Sequence, residues 1–239
     1  MDIKNELIGN IVAKDFRTAA IFKKNQIDFC CRGGRTIEDA CADKNINPQA
    51  IYDEIENLNI KQDNTIDFNA FPLDLLADYV EKTHHRYVEE KTPVLLTFLD
   101  KIRKVHGEHH PELFEVYELF EASSRDLAAH LKKEELILFP FIRKMIKAKI
   151  SGEKLEQPHF GTVENPVNMM KEEHTVEGDR MRKIAELTNE FQPPADACNT
   201  YQVAFAMLQD FENDLHKHIH LENNILFPKS LQLEESFKI

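Results

Sequence analysis

The chain has 239 residues, 42% of them apolar and 16 of them Phe, enough to bury a core as one large domain or as a medium domain with a small companion. A formal net charge of −12 makes phosphate backbones and anionic membranes poor partners, and only 7 Gly argue against a turn-rich β fold. The opening MDIKNELIGN is charged at positions 2, 4 and 6, unlike a secretory signal, and no apolar run approaches a membrane span; a cytoplasmic protein with its 4 Cys kept as thiols is expected.

In chain order, residues 1–66 read as a small domain of short helical pieces. Within it, IDFCCRGGRTIEDAC (27–41) places Cys30 and Cys31 side by side before Gly33 and Gly34, and Thr36 with Asp39 forms a capping box that opens a helix. Adjacent cysteines cannot easily bridge to each other without strain. Two readings stay open for the pair: reactive thiols on an exposed backbone, favoured as thiolate by the nearby helix start, or small apolar core residues. The polar stretch KQDNTIDFNAFP (61–72) has no periodicity and marks a domain boundary, with the second domain taken as 67–239.

Four long amphipathic stripes follow, each about 30 residues or roughly 45 Å of helix. The first runs through Leu73, Leu76, Val80, His84, Tyr87 and Leu95, with Pro93 as a possible bend. The second includes Phe120, Leu127, His130, Glu134 and Leu138; the third Met170, His174, Glu177 and Met181; the fourth Phe211, Leu215, His218, Glu222 and Ile225. The breaks at 106–111, 151–166 and 192–197 are short compared with the helices, which predicts antiparallel neighbours in an all-α, up-down-up-down four-helix bundle.

Four positions in these stripes hold His where Leu or Phe belongs. Two carry Glu one turn after a His, in the paired segments HLKKEELILFP and HIHLENNILFP, 88 residues apart. Residues i and i+4 share a helix face. His84 lies 23 residues before Gly107 and His130 lies 19 after Pro111, which puts both about 30 Å from that turn; His174 and His218 stand in a similar relation to the next one. All six groups can therefore meet at one level of the bundle. Unpaired carboxylates and imidazoles would be very costly in an apolar core. A metal removes the difficulty, and mixed nitrogen and oxygen ligation with two bridging carboxylates suits two irons better than zinc or manganese. The expected ligands are His84, His130, Glu134, His174, His218 and Glu222. His106, about 33 Å along its helix from His84, is expected outside the site, and His85, His110, His159, His216 and His220 are expected in solvent.

The order H…HxxxE…H…HxxxE on four helices resembles the hemerythrin-like domain over about 72–230. Oxygen-carrying hemerythrins have a further His four residues after the third-helix His, where this chain has Gly178, and end in Asp, where it has Glu222. That implies a more open iron site and argues against simple oxygen carriage. DFCCRGG ahead of such a domain, together with EEH at His174 and HIHLENNILFP, resembles the iron–sulfur cluster repair di-iron proteins over essentially the whole chain. The resemblance implies a cytoplasmic stress protein with a non-haem, oxo-bridged di-iron centre. It would restore clusters damaged by nitric oxide or peroxide, by supplying iron or handling nitric oxide. It also implies a part for Cys30 and Cys31, proteins with damaged clusters as partners, nitric oxide or O2 as small ligands, and a homodimer. Reduction of nitric oxide to N2O, or sensing of O2 or iron, are the competing functions.

Overall fold

A computed structural model describes residues 3–59 and 66–237. Among these residues the protein is all-α, with one isolated antiparallel bridge between Leu7 and Thr36. Residues 61–65 of the expected linker lie outside the described residues. Among the described residues no helix is long and apolar enough to cross a membrane.

The chain divides into two compact units, 1–76 with 219–239 and 77–218. In the first unit, α1 (Ile8–Lys14), α2 (Thr18–Lys24), α3 (Ile37–Ala42) and α4 (Pro48–Asn59) bury Ile8, Phe22, Ile37 and Ile51. The Thr36–Asp39 capping box is present at the start of α3. Gly33 is needed where the chain crosses α1: a Cβ there would stand 2.5 Å from the Phe29 carbonyl oxygen and 3.0 Å from the Gly9 Cα.

The second unit begins as α5 (Leu73–Tyr79) passes through a π-helical turn, Val80–His85, into α6 (Arg86–His106). Pro93 sits inside α6 without ending it; the irregularity falls earlier, at the π turn. Next come α7 (Glu112–Lys133), a second π turn (Glu134–Leu138), α8 (Phe139–Ser151), α9 (Glu164–Leu187) and α10 (Asn199–Leu221). Gly152, at φ +69, terminates α8 in the left-handed conformation that glycine adopts without cost. A third π turn (Glu222–Leu226) leads from α10 into α11 (Phe227–Glu235). In the bundle α6 packs on α7 and α7 on α9, around Leu95, Leu99, Val116, Phe120, Met181 and Phe211. Burial of each such side chain is worth about 1.5–3 kcal/mol.

Candidate metal centre

Both repeated segments are built alike. Each helix runs to the His, the Glu opens a π turn, and Phe-Pro starts the next helix with Pro140 or Pro228 in its first two positions. Proline has no N–H to give to the preceding turn, so the sequence favours a break in α-helical bonding just after the Glu. π turns of this kind concentrate at functional sites.

The first-helix imidazole that faces the other candidate ligands is His85, one residue after the His84 that the apolar stripe indicates. A π turn holds an extra residue, so the inward face steps from Val80 to His85 rather than to His84. It then continues through Val88, Thr92, Leu95, Leu99 and Ile102, all buried. His85 is therefore fully buried, not in solvent. His84 is also buried, with Nδ1 2.9 Å from Asp214 Oδ1, its ring stacked on His218 at 5.6 Å and its Nε2 without a hydrogen-bond partner, but it belongs to neither of the ligand groups that follow.

One ligand atom from each of His85, Glu134, His218 and Glu222 lies within 4.8 Å of the others, and the same is true of His130, Glu134, His174 and Glu222. Both groups are buried throughout. They share the two carboxylates and divide the four imidazoles two and two. The set contains five of the six residues expected from sequence, with His85 standing where His84 was expected.

These residues fit a metal. Neither oxygen of the fully buried Glu134 accepts a hydrogen bond, although His85 Nε2 stands 3.3 Å and His130 Nε2 3.5 Å from Oε2. Distance brings these atoms together, yet hydrogen-bond geometry is missing, as it is among ligands that point at a common ion. His130 Nε2 and His174 Nε2 face each other at 3.1 Å. Two nitrogens each about 2.1 Å from one ion, at a right angle to each other, stand about that far apart.

Behind the imidazoles are carboxylates that orient them. His130 Nδ1 is 2.8 Å from Glu173 Oε2, and Lys133 also pairs with Glu173. The hydrogen bond from His130 holds the Glu173 carboxyl down at about 2. His85 Nδ1 is 3.1 Å from Glu135 Oε1, which also accepts from Arg86 at 2.7 Å. Burial raises the Glu135 carboxyl, but the bonds from Lys132 and His85 outweigh it and the carboxyl ends lowered. Such partners fix which ring nitrogen faces a metal and raise its basicity. Sequence reasoning missed Glu135 and Glu173; the available signal was the acid next to an inward-facing residue in KKEEL and KEEH, where Glu134 and His174 are buried and the adjacent Glu135 and Glu173 meet the neighbouring helix. Glu177, three residues after His174, is different. It is buried and its carboxyl raised by that burial, but it accepts from Ser123 and pairs with Arg180, so its needs are met within the bundle.

The other sequence-marked residues lie elsewhere. His106 Nε2 sits 3.2 Å from Cys198 Sγ, outside both groups. His159 is exposed, and His110 and His216 are half-buried. His220 is buried, against expectation, between the rings of Phe16 and Phe29, and this burial lowers its pKa to about 3. Cys30 and Cys31 are free thiols 3.8 Å apart. Asp28 Oδ1 accepts from the backbone N–H of both, at 3.1 and 2.9 Å, and the three side chains form a possible ligand group of their own. The thiolate expected from the helix start does not hold for Cys30. It is buried, and its hydrogen bond with Cys31, its burial and the negative charge of its neighbours push the thiol well up.

Residues 77–230 match the family described as the hemerythrin HHE cation binding domain, and residues 4–59 match ScdA_N, a domain of unknown function. The chain is 30% identical over 234 residues to proteins named iron–sulfur cluster repair protein YtfE from Yersinia pestis (strain Pestoides F) and Yersinia pseudotuberculosis serotype IB (strain PB1/+); in each case 98% of this chain and 100% of the relative are covered. With a hemerythrin cation-binding domain preceded by an ScdA_N segment, and with this full-length similarity, the chain belongs to the YtfE family of iron–sulfur cluster repair proteins.

Proposed function

We propose that this protein repairs iron–sulfur clusters damaged by nitrosative or oxidative stress, and that it does so from a two-iron site. The observation that carries the reading is the sharing of Glu134 and Glu222 between two buried groups, one completed by His85 and His218 and the other by His130 and His174. Two acceptor-only carboxylates common to two imidazole pairs match the needs of two neighbouring hard-to-borderline cations. Bound iron would supply the exchangeable ion that a damaged cluster lacks. The chain's own residues do the rest. Glu135 and Glu173 keep Nδ1 of His85 and His130 protonated so that Nε2 faces inward, and the apolar layers on either side keep bulk water out.

Cys30, Cys31 and Asp28 form a second, softer donor set, suited to receiving an iron or a nitrosyl group in transit. The partners under this reading are proteins with damaged clusters, with nitric oxide or O2 as small ligands and a second copy of the chain as a subunit. The test mixes iron-loaded protein with a dehydratase whose cluster nitric oxide has destroyed. Recovery of dehydratase activity, with labelled iron passing to it, is the expected result. Recovery no greater than free ferrous iron gives would overturn repair, and many turnovers of nitric oxide to N2O with all iron retained would make the protein a reductase instead.

A further inference from the structure

A different cysteine meets the physical conditions for reactivity. Cys198 is exposed and immediately precedes α10, where its carbonyl accepts the first helical bond, from the Gln202 N–H at 3.1 Å. Its sulfur therefore stands at the positive end of a 23-residue helix. From the last residue of α6, His106 brings Nε2 to 3.2 Å from that sulfur. Helix starts and adjacent imidazoles are the two settings that most favour thiolate over thiol. The other thiols lack this combination: Cys30 and Cys41 are buried, and Cys31 is half-buried against Cys30.

The surrounding charges leave His106 to the sulfur. His110, in the turn between α6 and α7, pairs through Nε2 with Asp196 at 3.1 Å and through Nδ1 with Glu112 at 3.2 Å. Asp196 is thus engaged by His110, whose bond holds its carboxyl low. Tyr201, on the first turn of α10, packs its ring against both imidazoles, at 5.3 Å from His106 and 5.7 Å from His110. The α6 end, the α6–α7 turn, the α9–α10 connection and α10 itself thus all contribute to one surface cluster, separate from the His/Glu groups.

We propose that Cys198 and His106 form a thiol–imidazole dyad that makes Cys198 the reactive thiol of this chain, with small disulfides as its co-reactant. The Sγ proton passes to His106 Nε2. The thiolate attacks one sulfur of the disulfide, a new S–S bond forms as the old one breaks, and the other sulfur leaves as a thiolate that takes the proton from the imidazolium. Cys198 ends as a mixed disulfide, reversible by any free thiol. This does not depend on the metal centre.

The full-length protein, treated with limiting dithiodipyridine at neutral pH and mapped by peptide mass, tests the assignment. Cys198 is expected to carry the first label. In His106→Gln the neutral-pH rate at Cys198 should fall about tenfold, while labelling of Cys198 in the denatured protein is unchanged. First labelling at Cys31, or an unchanged native-state rate in His106→Gln, would each overturn the dyad. A disulfide-linked dimer through Cys198 in place of the mixed disulfide would overturn the small co-reactant.

Discussion

The two repeated segments share a frame but differ just after the Glu, and the difference separates two tasks. In the first, Glu134 is followed by Glu135, which accepts from His85 and so backs an imidazole of the candidate metal centre. In the second, Glu222 is followed by Asn223 and Asn224. Asn223 donates to the Cys30 carbonyl at 3.2 Å and Asn224 to the Phe29 carbonyl at 3.3 Å. The His, the Glu and the π turn place donor atoms. The following residue decides what the outer side of the turn holds: a ligand's second nitrogen in one case, the backbone of the cysteine segment in the other. The cysteine segment is thereby tied to the turn that begins with Glu222.

The largest expected effect comes from the shared position. Glu134→Leu and Glu222→Leu should each retain no iron after desalting while keeping a helical far-ultraviolet spectrum, since Leu suits both stripes. Iron retained in full by either variant would break the symmetry between the repeats. Glu135→Gln should be milder, weakening metal binding roughly 10- to 100-fold, and Glu173→Gln should match it from the third helix. The corresponding change in the second segment, Asn223→Ala, should cost about 1 kcal/mol of stability in a denaturant titration and leave iron affinity unchanged. A large loss of iron there would mean that the two outer positions do the same work. The smallest effect is in pH. Glu173, held down at about 2 by His130, favours the folded metal-free chain above its ordinary value of 4.5, and that contribution is lost as pH falls from there towards about 2. Partial exposure keeps it modest. The melting temperatures of parent and Glu173→Gln should therefore converge over that interval.

Much of this was legible in the sequence because the helices are long and strongly periodic. Misplaced His at 130, 174 and 218 and misplaced Glu at 134 and 222 stood out against apolar stripes, and the similarity of the two repeats fixed their common depth. The first helix is where the stripe and the fold differ, at a single position. A stripe counted at 3.6 residues per turn arrives at His84, and nothing local in VEKTHH announces the extra residue of a π turn. The doublet His84-His85 was the one hint, since either could face inward. His220 was misread for another reason. It lies off the bundle stripe, and its burial between Phe16 and Phe29 depends on residues about 200 positions earlier in the chain. For Cys30, the helix start that would favour thiolate was visible, but the opposing effects of burial, Cys31 and Asp28 arise only from the fold.

The central claim, that the repeats and the displaced first-helix imidazole together hold two irons, is tested most directly by the iron stoichiometry of His85→Ala beside that of His84→Ala. Both proteins would be loaded anaerobically and freed of loose iron. The structure predicts two irons per chain retained in His84→Ala, and loss of at least the iron held by the His85–His218 pair in His85→Ala. Full retention in His85→Ala with loss in His84→Ala would contradict the account and return the ligand to the position that the apolar stripe indicates.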